Sequence, residues 1–186
     1  MDRKRLQFLL EVAILGALSF ILDKLTLFEM PQGGSITLVM LPIILMAYRW
    51  GIAGGMLTGF ITGLLKVVSG AYILNVYQAA LDYFVAYTVV GFAAVTVVWL
   101  MNSRKTNNKK SMAMAIVVGT VFGGLLRFLV HYIGGIVFFA DFAGDQPVWL
   151  YSLVYNASYM VPSIILCAIV AVILFTTAPR LLKRAY

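Results

Sequence analysis

Between Pro147 and Pro179 the chain carries no charged residue, and several other stretches come close to the same condition. An α-helix crosses the ~30 Å hydrocarbon core of a bilayer in about 20 apolar residues. Runs of that length and composition constrain the fold more than any other feature. Hydrophobic residues are 62% and charged residues 11% of the 186, with a mean hydropathy of +0.97, whereas a soluble domain is roughly 45–50% apolar. The chain is expected to be an all-α integral membrane protein, because in lipid each backbone polar group must be satisfied within its own helix or within a closed barrel.

Interruptions of the apolar pattern predict six transmembrane helices, at about 5–27, 36–50, 52–69, 77–102, 112–139 and 148–177, in a single membrane domain spanning 1–186. Pro31 with Gly33 and Gly34 breaks the first connection, where the loop from Phe28 to Ser35 could fold over a site. No small-residue cleavage site precedes Asp23 and Lys24, so the first apolar segment is expected to remain as a helix. Helix three is rich in small residues that permit close packing: Ala53, Gly54, Gly55, Gly59 and Gly63.

The net charge of +7 does not point to nucleic acid, because the basic residues lie at the ends of apolar segments, where topology and anionic lipid account for them. With both termini cytoplasmic, the inner side holds Arg3, Lys4, Arg5, Arg49, Arg104, Lys105, Lys109, Lys110, Arg180, Lys183 and Arg184, leaving Lys24, Lys66 and Arg127 toward the outside. That asymmetry is the one expected of cytoplasmic loops.

A charge at the bilayer centre costs roughly 2.5–3.5 kcal/mol on insertion scales, so an intramembrane ionisable residue calls for a partner and a purpose. Asp82, Arg127 and the single histidine, His131, meet that description. Arg127, His131 and Gly135 stand at i, i+4 and i+8, on one helix face. Asp82 lies near the outer start of helix four, at similar depth, and Tyr151 and Asn156 descend from the outer end of helix six. The linker before helix four adds Tyr72, Asn75, Tyr77 and Gln78. One carboxylate, one imidazole, one carboxamide and several aromatics would form an outward cavity suited to a small aromatic ligand with hydrogen-bonding edges and a positive charge. Asp82 with Arg127 also reads as an ion pair joining two helices, and pairing does not exclude a site role.

Other features are weaker. A lone histidine is a poor metal ligand set. Cys167 sits in an apolar helix and reads as packing. Trp50 and Trp149 read as interfacial belt residues. No nucleophile–base signature or phosphate-binding glycine loop occurs. The chain is therefore read as a binder or carrier and not an enzyme, with no cofactor of its own. Ala13 and Ala17 flatten one face of helix one, so that another helix can approach.

Several motifs together resemble the thiamine-specific substrate-binding subunits, or S components, of energy-coupling factor transporters, across nearly the whole chain. These are Leu41-Pro-Ile-Ile-Leu with Arg49-Trp-Gly, Ala71-Tyr-Ile-Leu, Gln78-Ala-x-Leu-Asp82-Tyr83, Arg127-x-x-x-His131-x-x-x-Gly135 and Tyr151-Ser-Leu-x-x-Asn156. The resemblance implies an outward thiamine site with Asp82 near the thiamine rings and polar contacts from His131, Tyr151 and Asn156. It also implies a pocket lined by Tyr72 and Tyr83, Arg127 at the basic position, and a lid from Phe28 to Ser35. Ala13 and Ala17 match the motif through which such subunits meet a transmembrane coupling protein that carries two ATPases, the users of ATP. Phe139 and Thr62 stand where family members place tryptophans, and Val39 or its neighbour stands where a second acidic residue would be. Alternatives are an S component for another heterocyclic vitamin or pyrimidine precursor, or an autonomous secondary transporter.

Overall fold

The computed structural model describes residues 2–183; Arg184, counted above among the inner basic residues, lies outside them. Among the described residues, five helices are long and apolar enough to cross a membrane: α1 (Arg3–Lys24), α2 (Met40–Val68), α3 (Val76–Lys105), α4 (Lys109–Phe138) and α5 (Val148–Thr177).

The expected separation near residue 51 appears within α2 as a break at Gly51, whose φ of 78° and ψ of −169° are not helical. Three contacts fix what this break does. Ser19 Oγ donates to the Val39 carbonyl, Arg49 binds Glu11, and Lys66 binds Asp23. The chain therefore runs antiparallel to α1 up to Arg49, turns at Gly51 and returns parallel to α1. Phe8 against Trp50, with ring centroids 5.1 Å apart, holds the turn against α1. A positive φ is open to glycine without the Cβ clash that an L side chain would meet.

The first connection also differs from expectation at both ends. α1 stops at Lys24, short of 27, and α2 starts at Met40, past 36. Between them β1 (Phe28–Glu29) pairs antiparallel with β2 (Ser35–Ile36), Phe28 opposite Ile36. Pro31 and Gly33, at φ 86°, tighten the loop so that the Met30 amide donates to the Gly34 carbonyl at 2.7 Å and the Gly33 amide donates to the Met30 carbonyl at 2.9 Å. Side chains cap two later helices: Asn75 Oδ1 accepts from the Gln78 amide, and Asn108 Oδ1 from the Ser111 amide.

Glycines set the closest helix approaches. A Cβ on Gly59 would meet the Tyr87 carbonyl oxygen at 2.1 Å, and one on Gly63 the Tyr83 carbonyl oxygen at 2.0 Å. The returning half of α2 thus lies backbone to backbone on α3. Gly119 and Gly123 bring α4 onto α3, and Gly124 and Gly135 bring α5 onto α4. The buried apolar core fills the half of the bundle around Ile43, Ile44, Tyr48, Ile116, Met160 and Phe175. Cys167 is fully buried in that core, as read from the sequence.

At the end of the bundle marked by Glu11, Arg49 reaches Glu11 with Nε at 2.8 Å and the Leu181 carbonyl with Nη1 at 2.8 Å. The Trp50 indole donates to Glu11 at 2.7 Å, so this ring is tied into a polar cluster and is more than a belt residue. Trp149 is exposed.

Candidate ligand-binding site

At the other end, a cavity of about 640 Å³, counted with its open mouth, lies between α2, α3, α4, α5 and the β1–β2 turn. Asp82 enters it from an unusual stretch of backbone: within α3, residues Ala80–Val85 form a wide π-helical turn, followed by a tighter 3-10 stretch at Val89–Thr96. Such π turns in α-helices occur frequently at functional sites. Here the wide turn carries both Asp82 and Tyr83 on the cavity wall.

Asp82 is held through both carboxylate oxygens. Gln78 Nε2 donates to Oδ2 at 2.8 Å, and His131 Nδ1 lies 2.9 Å from Oδ1. An ionised carboxylate offers about four lone-pair positions, so acceptor capacity remains toward the cavity. On the far side of the imidazole, Arg127 Nε donates to His131 Nε2 at 3.3 Å, while Nη2 donates to Tyr87 Oη at 3.0 Å. The guanidinium also lies over the Tyr87 ring, 4.3 Å from its centroid. Arg127 therefore makes no direct ion pair with Asp82, and His131 stands between them.

α5 contributes a tyrosine stripe. Tyr151, Tyr155 and Tyr159 follow at i, i+4 and i+8, with successive ring centroids 5.9 and 5.8 Å apart. Asn156 sits behind them and is largely occupied. Its Nδ2 faces the Ser152 and His131 carbonyls and Ser152 Oγ, and its Oδ1 accepts from Tyr159 Oη at 2.8 Å. It braces the wall and leaves only its remaining carbonyl lone pair for a ligand. The Gly34 amide donates to Tyr155 Oη at 3.2 Å, which seats the β1–β2 turn on this stripe over the cavity.

Of the residues singled out from sequence, Gln78, Asp82, Tyr83, Arg127, His131, Gly135, Phe139, Tyr151 and Asn156 line the cavity. Tyr72 does not line it: this residue is 43% exposed and its ring stacks on Phe139, centroids 6.4 Å apart, while its carbonyl accepts from Tyr83 Oη at 2.6 Å. Tyr72 buttresses the rim because it precedes the ordered start of α3. Thr62 and Val39 are buried elsewhere; Thr62 Oγ1 donates to the Thr58 carbonyl, and the Val39 carbonyl accepts from Ser19. Ala13 and Ala17 are exposed on α1.

Sequence reasoning missed Lys66, Tyr87, Tyr155 and Tyr159, all on the cavity wall. Lys66 binds Asp23 of α1 and also lies 5.4 Å from the Tyr87 ring centroid. The cost of burying charge, applied to Asp82, Arg127 and His131, applies equally to this lysine in an apolar segment. The tyrosine stripe repeats the i, i+4, i+8 spacing of Arg127, His131 and Gly135. Among the described residues no group of three or more His, Cys, Asp or Glu side chains could hold a metal ion.

The family described as "Thiamine transporter protein" matches residues 9–183. The chain is 43% identical to the thiamine transporter ThiT of Bacillus subtilis, over 97% of this chain and 96% of the relative. It is 28% identical to ThiT of Lacticaseibacillus paracasei, over 97% and 92% respectively. The fold is similar to that of ThiT from Listeria monocytogenes, with a TM-score of 0.91 and 30% identity over 97% of this chain and 100% of that one. It also matches the S component of a bacterial ECF transporter, with a TM-score of 0.60 and 15% identity over 97% and 99%, a likeness of fold.

Proposed function

Because the chain belongs to the thiamine transporter protein family, we propose that this multi-pass bacterial membrane protein is the thiamine-capturing S component of an ATP-driven energy-coupling factor transporter. The observation that carries the reading is Asp82: a carboxylate held by Gln78 and His131, with acceptor capacity left over, in a cavity walled by tyrosines. A carboxylate and aromatic faces favour a cation, and thiamine is an aromatic cation with hydrogen-bonding edges.

In this mechanism thiamine enters from the outside, its positive ring is drawn to Asp82, and the rings lie among Tyr83, Phe139 and the tyrosine stripe. The β1–β2 turn closes over it, with the Gly34–Tyr155 bond as the seat. His131 aims Asp82 at the ligand, the remaining carbonyl lone pair of Asn156 meets the polar edge, and Gly135 lets Ser152 and Asn156 close up the wall behind it. No bond is made or broken in the ligand and no cofactor or metal takes part. The protein is a transporter component and not an enzyme.

Delivery rests on assembly. Ala13 and Ala17 form the face of α1 that meets a transmembrane coupling protein, which carries two ATPases. The excess of basic residues at one end of the apolar segments supports cytoplasmic termini, and the break at Gly51 supports counting α2 as two of six helices. Thiamine binding to the purified protein tests the ligand: half-saturation at or below micromolar concentration is expected, and absence of binding there overturns the assignment. Uptake into liposomes by this chain without a coupling protein and ATPases would overturn the assembly.

A further inference from the structure

We infer that Arg127 is a positioning residue: by donating Nε–H to His131 Nε2 it holds the imidazole in the Nδ1–H tautomer, aimed at Asp82, and so reserves the carboxylate's charge for the ligand. The last step rests on the proposed thiamine site; the tautomer does not.

Arginine carries only donors, whereas a neutral imidazole has one donor and one acceptor nitrogen. The nitrogen facing Arg127, Nε2 at 3.3 Å, must therefore accept. The proton then sits on Nδ1, which faces Asp82 Oδ1 at 2.9 Å. A hydrogen bond from one ring nitrogen commonly determines which tautomer the other adopts. The donor here cannot readily turn away: Arg127 is 5% exposed, its Nη2 is bonded to Tyr87 Oη, and its guanidinium lies over the Tyr87 ring.

The charges around the ring fit this role. From α2, Lys66 is bound to Asp23 of α1, and it flanks the Tyr87 ring at 5.4 Å. From α3, Asp82 has polar partners in Gln78 and His131, and no lysine or arginine pairs with it among the described residues. An imidazolium at His131 would neutralise Asp82 in the way the ligand cation does. It would also replace the Arg127 hydrogen bond by two cations in contact. Arg127 thus keeps His131 a neutral donor and Asp82 an uncompensated anion until a cation arrives.

His131 is the single histidine of the chain, so its ring nitrogens can be read without assignment ambiguity. In ligand-free protein labelled with ¹⁵N-histidine at neutral pH, the spectrum is expected to show a protonated Nδ1 and an unprotonated Nε2. Arg127→Met removes the donor at similar length and is expected to lose the unprotonated Nε2 signature and to weaken thiamine binding at least tenfold. Arg127→Gln places an amide nitrogen at the reach of Nε without the charge and is expected to keep the signature. An imidazolium or Nε2–H ring in the wild type, an unchanged spectrum in Arg127→Met, or loss of the signature in Arg127→Gln overturns the inference. Should Arg127→Met fail to fold, the wild-type and Arg127→Gln spectra decide. Because the spectrum is read without ligand, a protein that ignores thiamine yet shows Nδ1–H supports the Arg127 assignment and removes only the ligand reading.

Discussion

The Lys66 ammonium lies 2.7 Å from Asp23 Oδ2, joining α2 to α1 through a residue that also forms part of the cavity wall. Both side chains are mostly buried, so removal of one strands the other in an apolar setting. Breaking such a pair typically costs about 3–5 kcal/mol, whereas replacing both partners with apolar groups is often close to neutral. Lys66→Met and Asp23→Leu are each expected to lower the thermal unfolding midpoint in detergent, and the double variant is expected to recover most of the loss. A double variant as damaged as the sum of the two singles would show that the two residues act independently.

Gly63 allows the α2 backbone to rest on the Tyr83 carbonyl, where an added Cβ would stand 2.0 Å from the oxygen. No side-chain rotation relieves a clash with backbone, so Gly63→Ala must push α3 away. Overpacking of this kind typically costs ~1–3 kcal/mol. Because the displaced backbone belongs to the π turn that carries Asp82 and Tyr83, ligand affinity is expected to fall together with stability. Gly70→Ala, at a site with no neighbour within 4 Å, provides a contrast: its positive φ of 85° should cost stability without disturbing the cavity. Equal affinity losses for the two variants would contradict this account.

Gly34 is the contact between the β1–β2 turn and the tyrosine stripe. A Cβ there would meet the Tyr159 ring at 2.6 Å and Tyr155 Oη at 3.1 Å. Gly34→Ala is expected to lift the turn from its seat, so that ligand dissociation quickens while association changes little. Stopped-flow measurement of both rates checks this; a slowed association with unchanged dissociation would place the turn outside the closing step.

The helices were legible in the sequence because charge-free runs such as 147–179 leave little choice in lipid, and most of the cavity wall was legible because His131 and Arg127 share a face at four-residue spacing. The shape of α2 was less so. Gly51 occurs in a sequence rich in glycines, and only its positive φ, together with the Arg49–Glu11 and Lys66–Asp23 contacts, reveals the reversal. The order Asp82–His131–Arg127 was likewise hidden: side-chain reach across α3 and α4 decides which cation meets the carboxylate, and residue spacing along one helix carries no information about that. Tyr72 lies close to Asp82 in sequence, yet the chain before α3 is non-helical, so its ring ends at the rim.

Asp82 supplies charge in the proposed site, and charge can be separated from shape. Asp82→Asn keeps the size of the group and one carbonyl acceptor, so one of the Gln78 and His131 contacts can persist while the other and the attraction for a cation are lost. Thiamine affinity is expected to fall at least tenfold, equivalent to ~1.4 kcal/mol. A neutral pyrimidine of similar ring size has no positive charge to lose, so its affinity should change much less. Calorimetric titration of both ligands against both proteins gives the comparison. Equal losses for the two would mean that Asp82 acts through hydrogen bonding or wall geometry, and unchanged thiamine affinity would remove it from the site.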